Sequence, residues 1–427
     1  MSKPPIVMTE LMVPLDNSMA TVASRFAEES GRVWGLSAGQ QMKLAMAVEE
    51  LFVFLARDAK PGERVRLMCR NGIYYTQMTC IFPYRSLPAS FFNITAQVRP
   101  DDEETLSHMG LLLASRAVDR FDMVRTADVL ELRLISEKEY PPAADTCDRL
   151  PDGQYRVTAV GAQEWKQLAR RVYACYGRRS PAFMQYPGKL VDMLASGEYD
   201  CITASDTKGN VAGGVVWQKV GKMAIMHGPY LFTGQAGLSR ELLDAALGKM
   251  ARSGMVCLVN MEPVEEMPSG YFECIGALDE ADERGAAVLY RQLDEDQGAV
   301  SYVSPSLAGF AKQLYDQLVL PRHVQTVEIA GEELPTFSAL STAVDWKRRE
   351  AMLSMLAPGS NLAENLVNHV AFLRQQGIDR ILYRLDLGLP EHVLYGEEIM
   401  QAGFEPRVLL PWGGTGDVLL FGYREAD

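Results

Sequence analysis

The chain is short of positive charge: 42 lysines and arginines stand against 55 aspartates and glutamates, a formal net charge of −13. A nucleic-acid partner calls for a basic face, so no nucleic acid is expected unless a local patch runs against the total. Long apolar runs are missing too. No stretch approaches the roughly 18 uncharged apolar residues of a membrane-spanning helix, so no membrane association is expected. The opening Met1–Glu10 has no apolar core of signal-peptide length. Cysteine is scarce and unpatterned. The seven positions, Cys69, Cys80, Cys147, Cys175, Cys201, Cys257 and Cys274, include no C-x-x-C pair and are odd in number. That excludes zinc-type spacing and the even framework of a small secreted domain. The expectation is a cytoplasmic protein with reduced thiols and no metal site.

What remains is ordinary globular composition, 48% hydrophobic and 23% charged over 427 residues. That length exceeds one core and points to two or three domains. Residues 1–140 read as the first: helices over Ser18–Gly31 and Ser37–Ala59, strands near Arg64–Arg70 and Tyr74–Phe82, a helix over Leu106–Arg120 and an alternating strand Val129–Ile135. Residues 141–153, rich in Pro and Asp, read as a linker. Residues 154–300 open with a helix at Ala162–Tyr176. Strands follow at Cys201–Ser205, Val211–Lys219 and Met223–Phe232, then a helix at Arg240–Arg252 and a strand at Val256–Met261. Residues 301–427 repeat the later part of that order, with a strand near Pro335–Thr342, an apolar run near Met352–Leu356 and a helix at Ala363–Gly377. Strand Arg380–Leu387, helix Glu391–Gly403 and two final strands complete it.

In the first domain, Leu44-Ala-Met-Ala-Val-Glu-Glu-Leu-Phe-Val-Phe-Leu-Ala-Arg-Asp-Ala59 resembles the nucleotide-site helix of the anti-sigma-factor serine kinases, members of the GHKL ATPases. That helix reads A-V-E-E-x-x-x-N-x-x-x-H-A, its Asn ligating the magnesium of ATP. Here Glu49 and Glu50 match, Phe54 replaces the Asn and Asp58 the His. An apolar ring cannot replace the oxygen ligands that a hard cation takes. His108-Met-Gly-Leu-Leu-Leu-Ala-Ser-Arg-Ala-Val-Asp119 resembles the family's glycine-rich phosphate segment with only Gly110 kept. The adenine segment falls near Cys80–Ser86, which has neither Asp nor Gly. The resemblance implies a GHKL-type α/β sandwich without ATP or kinase chemistry, whose surface serves a protein partner. Glu50 reads equally as a solvated helix charge and Phe54 as core.

The element order after residue 154 resembles the GNAT acyl-CoA N-acyltransferases. Val211-Ala-Gly-Gly-Val-Val-Trp217 is similar to the strand that displays its backbone, and Tyr271-Phe-Glu-Cys-Ile-Gly276 to a late Y-x-E-x-x-G-F segment. Gly228-Pro-Tyr-Leu-Phe-Thr-Gly-Gln-Ala-Gly-Leu-Ser-Arg-Glu-Leu-Leu243 falls where the pyrophosphate loop, [QR]-x-x-G-x-[GA], opens a helix. Gly237 takes the Gly position and Ser239 the small one, while Gly234 takes the Gln/Arg position, with Gln235 beside it. The resemblance implies acetyl-CoA or another acyl-CoA held on the amides of Gln235, Ala236, Gly237, Leu238 and Ser239. The other reading of this turn is an N-cap by Ser239. Glu262 is the candidate base and Tyr271 the candidate acid, each also readable as a surface acid or packing tyrosine. His227 could serve as a base or be a satisfied core histidine. Cys274 has no His/Asp constellation that would make it a nucleophile. The last segment resembles a second, partial GNAT fold. Its Pro411-Trp-Gly-Gly-Thr-Gly416 joins two strands, which favours a hairpin turn over a phosphate loop.

The fold expected is therefore α+β: a GHKL-type sandwich followed by tandem GNAT-like mixed sheets with flanking helices. Two functions compete. One is an acyltransferase moving an acyl group from acyl-CoA to an amine, with a vestigial ATPase-like docking domain. The other is a regulatory protein-binding protein in which both the ATP and the CoA sites are vestigial.

Overall fold

The computed structural model describes residues 7–57, 59–83, 93–96, 114, 117–125, 129–143, 149–159, 161–278, 287–328, 335–345 and 348–424. The fold is mixed α+β. The chain forms two compact units. The first takes Met1–Glu139, Leu334–Ala343 and Ser354–Asn361; the second takes Tyr140–Glu333, Val344–Leu353 and Leu362–Asp427.

The first unit is a five-stranded antiparallel sheet with strands β1 (Met8–Pro14), β2 (Arg64–Asn71), β3 (Tyr75–Pro83), β4 (Arg120–Arg125) and β5 (Val129–Glu137), in the order β1-β2-β3-β5-β4. Strand alternation sets its face: Val65, Leu67 and Cys69 are buried while Arg64 and Arg66 between them are exposed. Helices α1 (Ala20–Val33) and α2 (Ala38–Arg57) join that buried face in one core. α2 starts at a capping box. The Gln40 amide donates to Ser37 Oγ at 3.4 Å, and the Ser37 amide donates to Gln40 Oε1 at 3.0 Å. Leu44, Val48, Leu51 and Leu55 recur at helical spacing and are buried. Phe54 is half-buried and packs against this core, and Glu49 is exposed. The expected helix Leu106–Arg120 and most of His108–Asp119 lie outside the described residues, as do Tyr84–Ser86 of the adenine segment and Asp58. Strands β1 and β4 were not anticipated.

The second unit holds a seven-stranded sheet made of β6 (Arg156–Thr158), β7 (Tyr199–Ser205), β8 (Val211–Val220), β9 (Met223–Leu231), β10 (Cys257–Asn260), β11 (Glu273–Ala277) and β12 (Ala287–Gln292). Their order is β11-β12-β10-β9-β8-β7-β6. α3 (Ala162–Tyr176) and α4 (Pro187–Ser196) pack together, and α3 lies on β8. α5 (Leu238–Met250) buries Leu238, Leu242, Leu243 and Ala246 in a separate core cluster. Further on come β13 (Ala299–Val303), α6 (Pro305–Gln317) and β14 (Arg322–Thr326), with β13 and β14 parallel. The last sheet takes β15 (Ala339–Asp345) and β16 (Glu350–Ala357), each divided between the ranges of the two units, and then, in the order of the chain, α7 (Leu362–Gln375), β17 (Arg380–Asp386), α8 (Pro390–Val393), α9 (Gly396–Gln401), β18 (Phe404–Leu410) and β19 (Val418–Tyr423). Its order is β15-β16-β17-β19-β18.

The two larger sheets share a rule. β9-β10-β12-β11 and β16-β17-β19-β18 are the same pattern, with a helix between the first two strands and the last pair exchanged. The helix expected over Glu391–Gly403 is instead two short ones, α8 and α9. Cys175 is disulfide-bonded, which corrects the expectation that every thiol is reduced. Cys69, Cys80, Cys201, Cys257 and Cys274 are free. Among the described residues no helix is long and apolar enough to cross a membrane.

A charged cluster sits inside the second unit. Arg322, at the start of β14, reaches Asp296 at 2.8 Å and Asp417 at 2.7 Å, with its side chain 0% exposed. Trp412 donates its indole N–H to Asp296 Oδ2 at 3.1 Å and its amide to Asp417 Oδ1 at 2.9 Å. Arg322 and Lys222 both lie over the Trp412 ring, at 4.8 and 3.8 Å from its centroid.

Candidate functional site

β9 and β10 are parallel neighbours only over Met223–Ile225 and Cys257–Val259. β9 then runs on to Leu231 while β10 stops at Asn260. The strands part, and the gap is bridged by one side chain: Asn260 Nδ2 donates to Gly228 O at 2.9 Å. At the end of β9 the Leu231 amide donates to Tyr176 Oη at 2.8 Å, and Tyr176 donates in turn to Glu266 Oε1 at 2.9 Å. Burial raises the Tyr176 phenol well above its usual range, the Leu231 hydrogen bond opposes this and the Glu266 charge adds to it. Tyr176, Glu266 and Asn260 converge only because the strands diverge, so no spacing in the sequence could have singled them out.

Beyond β9 the chain turns through Gly234–Gly237 into α5. Gly237 is the N-cap at φ 85°, a left-handed conformation that glycine takes without a Cβ penalty. No side chain caps the helix, and a Cβ at Gly237 would meet nothing within 4 Å. The first amides of α5 therefore have no intrahelical partner. Ser239 is inside the helix, which starts at Leu238, so the alternative reading of Ser239 as N-cap is corrected. Leu238 is buried in the α5 core cluster. Gln235 Oε1 accepts from the Gly153 amide at 3.2 Å.

The corresponding turn of the last sheet is closed. Between β16 and α7, Ser360 donates its amide to Pro335 O at 2.8 Å, and Asn361 Oδ1 accepts from the Ser338 amide at 2.7 Å. A Cβ at Gly359 would collide with the Phe337 and Ser338 backbone. The glycine loop between β18 and β19 is also filled. Asp386 accepts from the Thr415 amide at 2.7 Å, the Gly416 amide at 3.1 Å and the Gly388 amide at 2.9 Å. An internal carboxylate occupies the place a phosphate would need, in keeping with a hairpin turn.

Glu262 lies just past β10, its side chain 23% exposed, in contact with Arg348 and 3.3 Å from Arg380. Arg380 also holds Glu350. Burial pushes the Glu262 carboxyl up, against the pull of Arg348 and Arg380. Tyr271 is placed elsewhere. It packs on the α5 layer and donates to Asp244 Oδ1 of that helix at 2.7 Å, whereas Glu262 lies near Tyr230 in the layer of Tyr176. The hydrogen bond to Asp244 holds the Tyr271 phenol up, followed by burial and the Asp244 charge. The two catalytic candidates are not brought together. His227, on β9, is half-buried against the Phe183 ring; burial and then Arg348 hold it down to about 3, so it is neutral. Cys274 is exposed. Among the described residues no cluster of His, Cys, Asp and Glu could hold a metal ion.

No known protein family matches the chain, and no curated protein does. Solved structures do. A GNAT-family acetyltransferase from Staphylococcus aureus Mu50 matches at 10% identity and a TM-score of 0.26, covering 33% of this chain and 100% of its own. The PaiA N-acetyltransferase from Thermoplasma acidophilum, in complex with coenzyme A, matches at 11% identity and a TM-score of 0.25, over 33% of this chain and 99% of its own. The GNAT acetyltransferase YhbS from Escherichia coli, also in complex with CoA, matches at 18% identity and a TM-score of 0.24, over 36% and 86%. The structural neighbours are thus GNAT acetyltransferases over about a third of the chain. At such scores the likeness carries no weight of its own.

Proposed function

We propose that the second unit binds an acyl-CoA at the β9–α5 turn and transfers its acyl group to an amine. One observation carries this reading: β9 parts from β10 and leads into a glycine N-cap, with no side chain capping the helix and no atom within 4 Å of where a Gly237 Cβ would be. Such a helix N-terminus suits a diphosphate, since its N–H groups and dipole both favour negative charge. The contrast with the filled turn at Ser360–Asn361 supports this role for the first repeat and not the second. Gln235, Ala236, Gly237, Leu238 and Ser239 would hold the coenzyme, and the thioester would lie in the gap between β9 and β10.

In the transfer an amine nitrogen attacks the thioester carbon, the C–S bond breaks, a base takes the ammonium proton and an acid protonates the thiolate. Glu262 as base must first release a guanidinium, because two arginines share its carboxylate. Tyr176 stands at the gap with a retained proton, and is a better-placed acid than Tyr271. The ion-paired Glu262 also supports the second reading, a regulatory protein-binding protein with neither site working. In either case the first unit, with Phe54 where the magnesium ligand would stand, serves a protein partner and not ATP.

A thermal-shift titration of the whole protein with acetyl-CoA, CoA, ATP–Mg and ADP tests this. A ligand at 100 times its Kd adds about 2.7 kcal/mol to the state it binds. We expect shifts with both CoA compounds, lost in Gly237→Pro, and none with the nucleotides. Silence toward millimolar CoA would leave the protein-binding reading standing.

A further inference from the structure

The β9–α5 turn is tied down by the segment Leu150–Gly153, which precedes β6. The Leu150 amide donates to Phe232 O at 2.7 Å, and the Gly153 amide donates to Gln235 Oε1 at 3.2 Å. Between them the buried Thr233 hydroxyl donates to Asp152 Oδ1 at 2.9 Å, while its oxygen accepts the Gln235 amide at 3.4 Å. The Asp152 carboxylate lies 3.6 Å from where a Cβ on Gly234 would be. Pro151, Asp152 and Gly153 are exposed, while Leu150 is half-buried against the core cluster of α5. A chain segment thus lies against Phe232–Gln235, and it places a carboxylate beside Gly234 at the start of this turn.

We propose that Leu150–Gly153 is an autoinhibitory strap, and that Asp152 competes with the coenzyme diphosphate for the β9–α5 turn. The inference rests on the acyl-CoA reading of that turn. Two like charges about 4 Å apart and screened as in bulk water, as befits the exposed Asp152, repel by an amount worth about fivefold in affinity, so a bound diphosphate displaces Asp152 and frees the strap. The strap follows β5, the last strand of the first unit's N-terminal stretch, in the chain.

Calorimetric titration of the full-length protein with CoA, with inorganic pyrophosphate as a second probe, decides the matter. Asp152→Asn and Asp152→Ala at this exposed site should each bind CoA about three- to tenfold more tightly than the parent. In the parent protein, saturating CoA should speed tryptic cleavage after Arg149 several-fold, because the strap has left the turn. Equal affinity in all three proteins overturns the strap while leaving the coenzyme site intact. Tighter binding without faster cleavage overturns displacement of the segment. Failure of CoA and pyrophosphate to bind any of the three overturns the coenzyme reading itself, and the strap with it.

Discussion

A cysteine's surroundings decide its chemistry here. Burial pushes Cys69, Cys80, Cys201 and Cys257 each up to about 12, so at pH 8 they remain thiols. Cys274 is exposed. Among these five, a thiol reagent under native conditions should label Cys274 alone, and Cys274→Ser should remove that signal by mass spectrometry. His369 is a second case. It is fully buried in α7, its Nδ1 donates to Asn365 O at 2.8 Å, and Nε2 has no partner. Burial, partly offset by the Asn365 carbonyl, lowers it to about 4. The unfolded chain takes up this proton near pH 6.5 and the folded one does not. Stability from the neutral form is therefore present above pH 6.5 and lost as pH falls toward 4. Urea unfolding at pH 7.5 and pH 5 should show that loss, and His369→Gln should flatten it at some cost in stability at pH 7.5. A pH dependence unchanged in His369→Gln would assign the effect elsewhere.

At the scale of elements, the turn before α5 is the sharpest test. Gly237→Ala meets no steric obstacle, so its cost is conformational, about 1 kcal/mol for a left-handed residue with a Cβ. We expect a stability loss of that size by denaturant unfolding, with CoA affinity changed little, since the helix amides stay in place. Gly237→Pro cannot hold φ 85° and should abolish binding. The elements themselves were largely legible. α3 runs over Ala162–Tyr176 as its pattern indicates, and the apolar spacing of α2 and the alternation of β5 place both. β1 was missed because most of its residues are exposed, so Met8–Pro14 carries little apolar alternation. The start of α5 was misjudged by two residues because Gly237, not a Ser side chain, caps it.

Across the molecule, the cluster of Arg322, Asp296 and Asp417 joins segments far apart in sequence within the second unit. Burial raises the Asp296 carboxyl, but the Arg322 hydrogen bond and the Gly298 amide outweigh that and hold it low. Its contribution is therefore present above its unfolded value near 4 and lost as pH falls below that value. Acid unfolding followed by circular dichroism should begin at higher pH in Asp296→Asn. Asp296→Ala leaves Arg322 paired to Asp417 alone and should cost about 1.5–3 kcal/mol for the lost charged hydrogen bond. If Asp296→Ala unfolds like the parent protein, the cluster is not holding the unit together.

Sequence by itself determined what periodicity and composition can carry: an α+β chain poor in positive charge, without a membrane-crossing run, with helices and strands where apolar spacing changes from 3.6 to 2. It also marked the turn around Gly237, because a glycine between a strand and a helix is a local signal. Only the tertiary structure decided which loops are open. Asp386 fills the loop at Thr415–Gly416, Pro335 and Ser338 close the turn at Ser360–Asn361, and Asp152 lies against Gly234. Each partner comes from a distant part of the chain. Whether an amide is free to bind an anion depends on what the fold brings to it, and residue type at the loop does not record that.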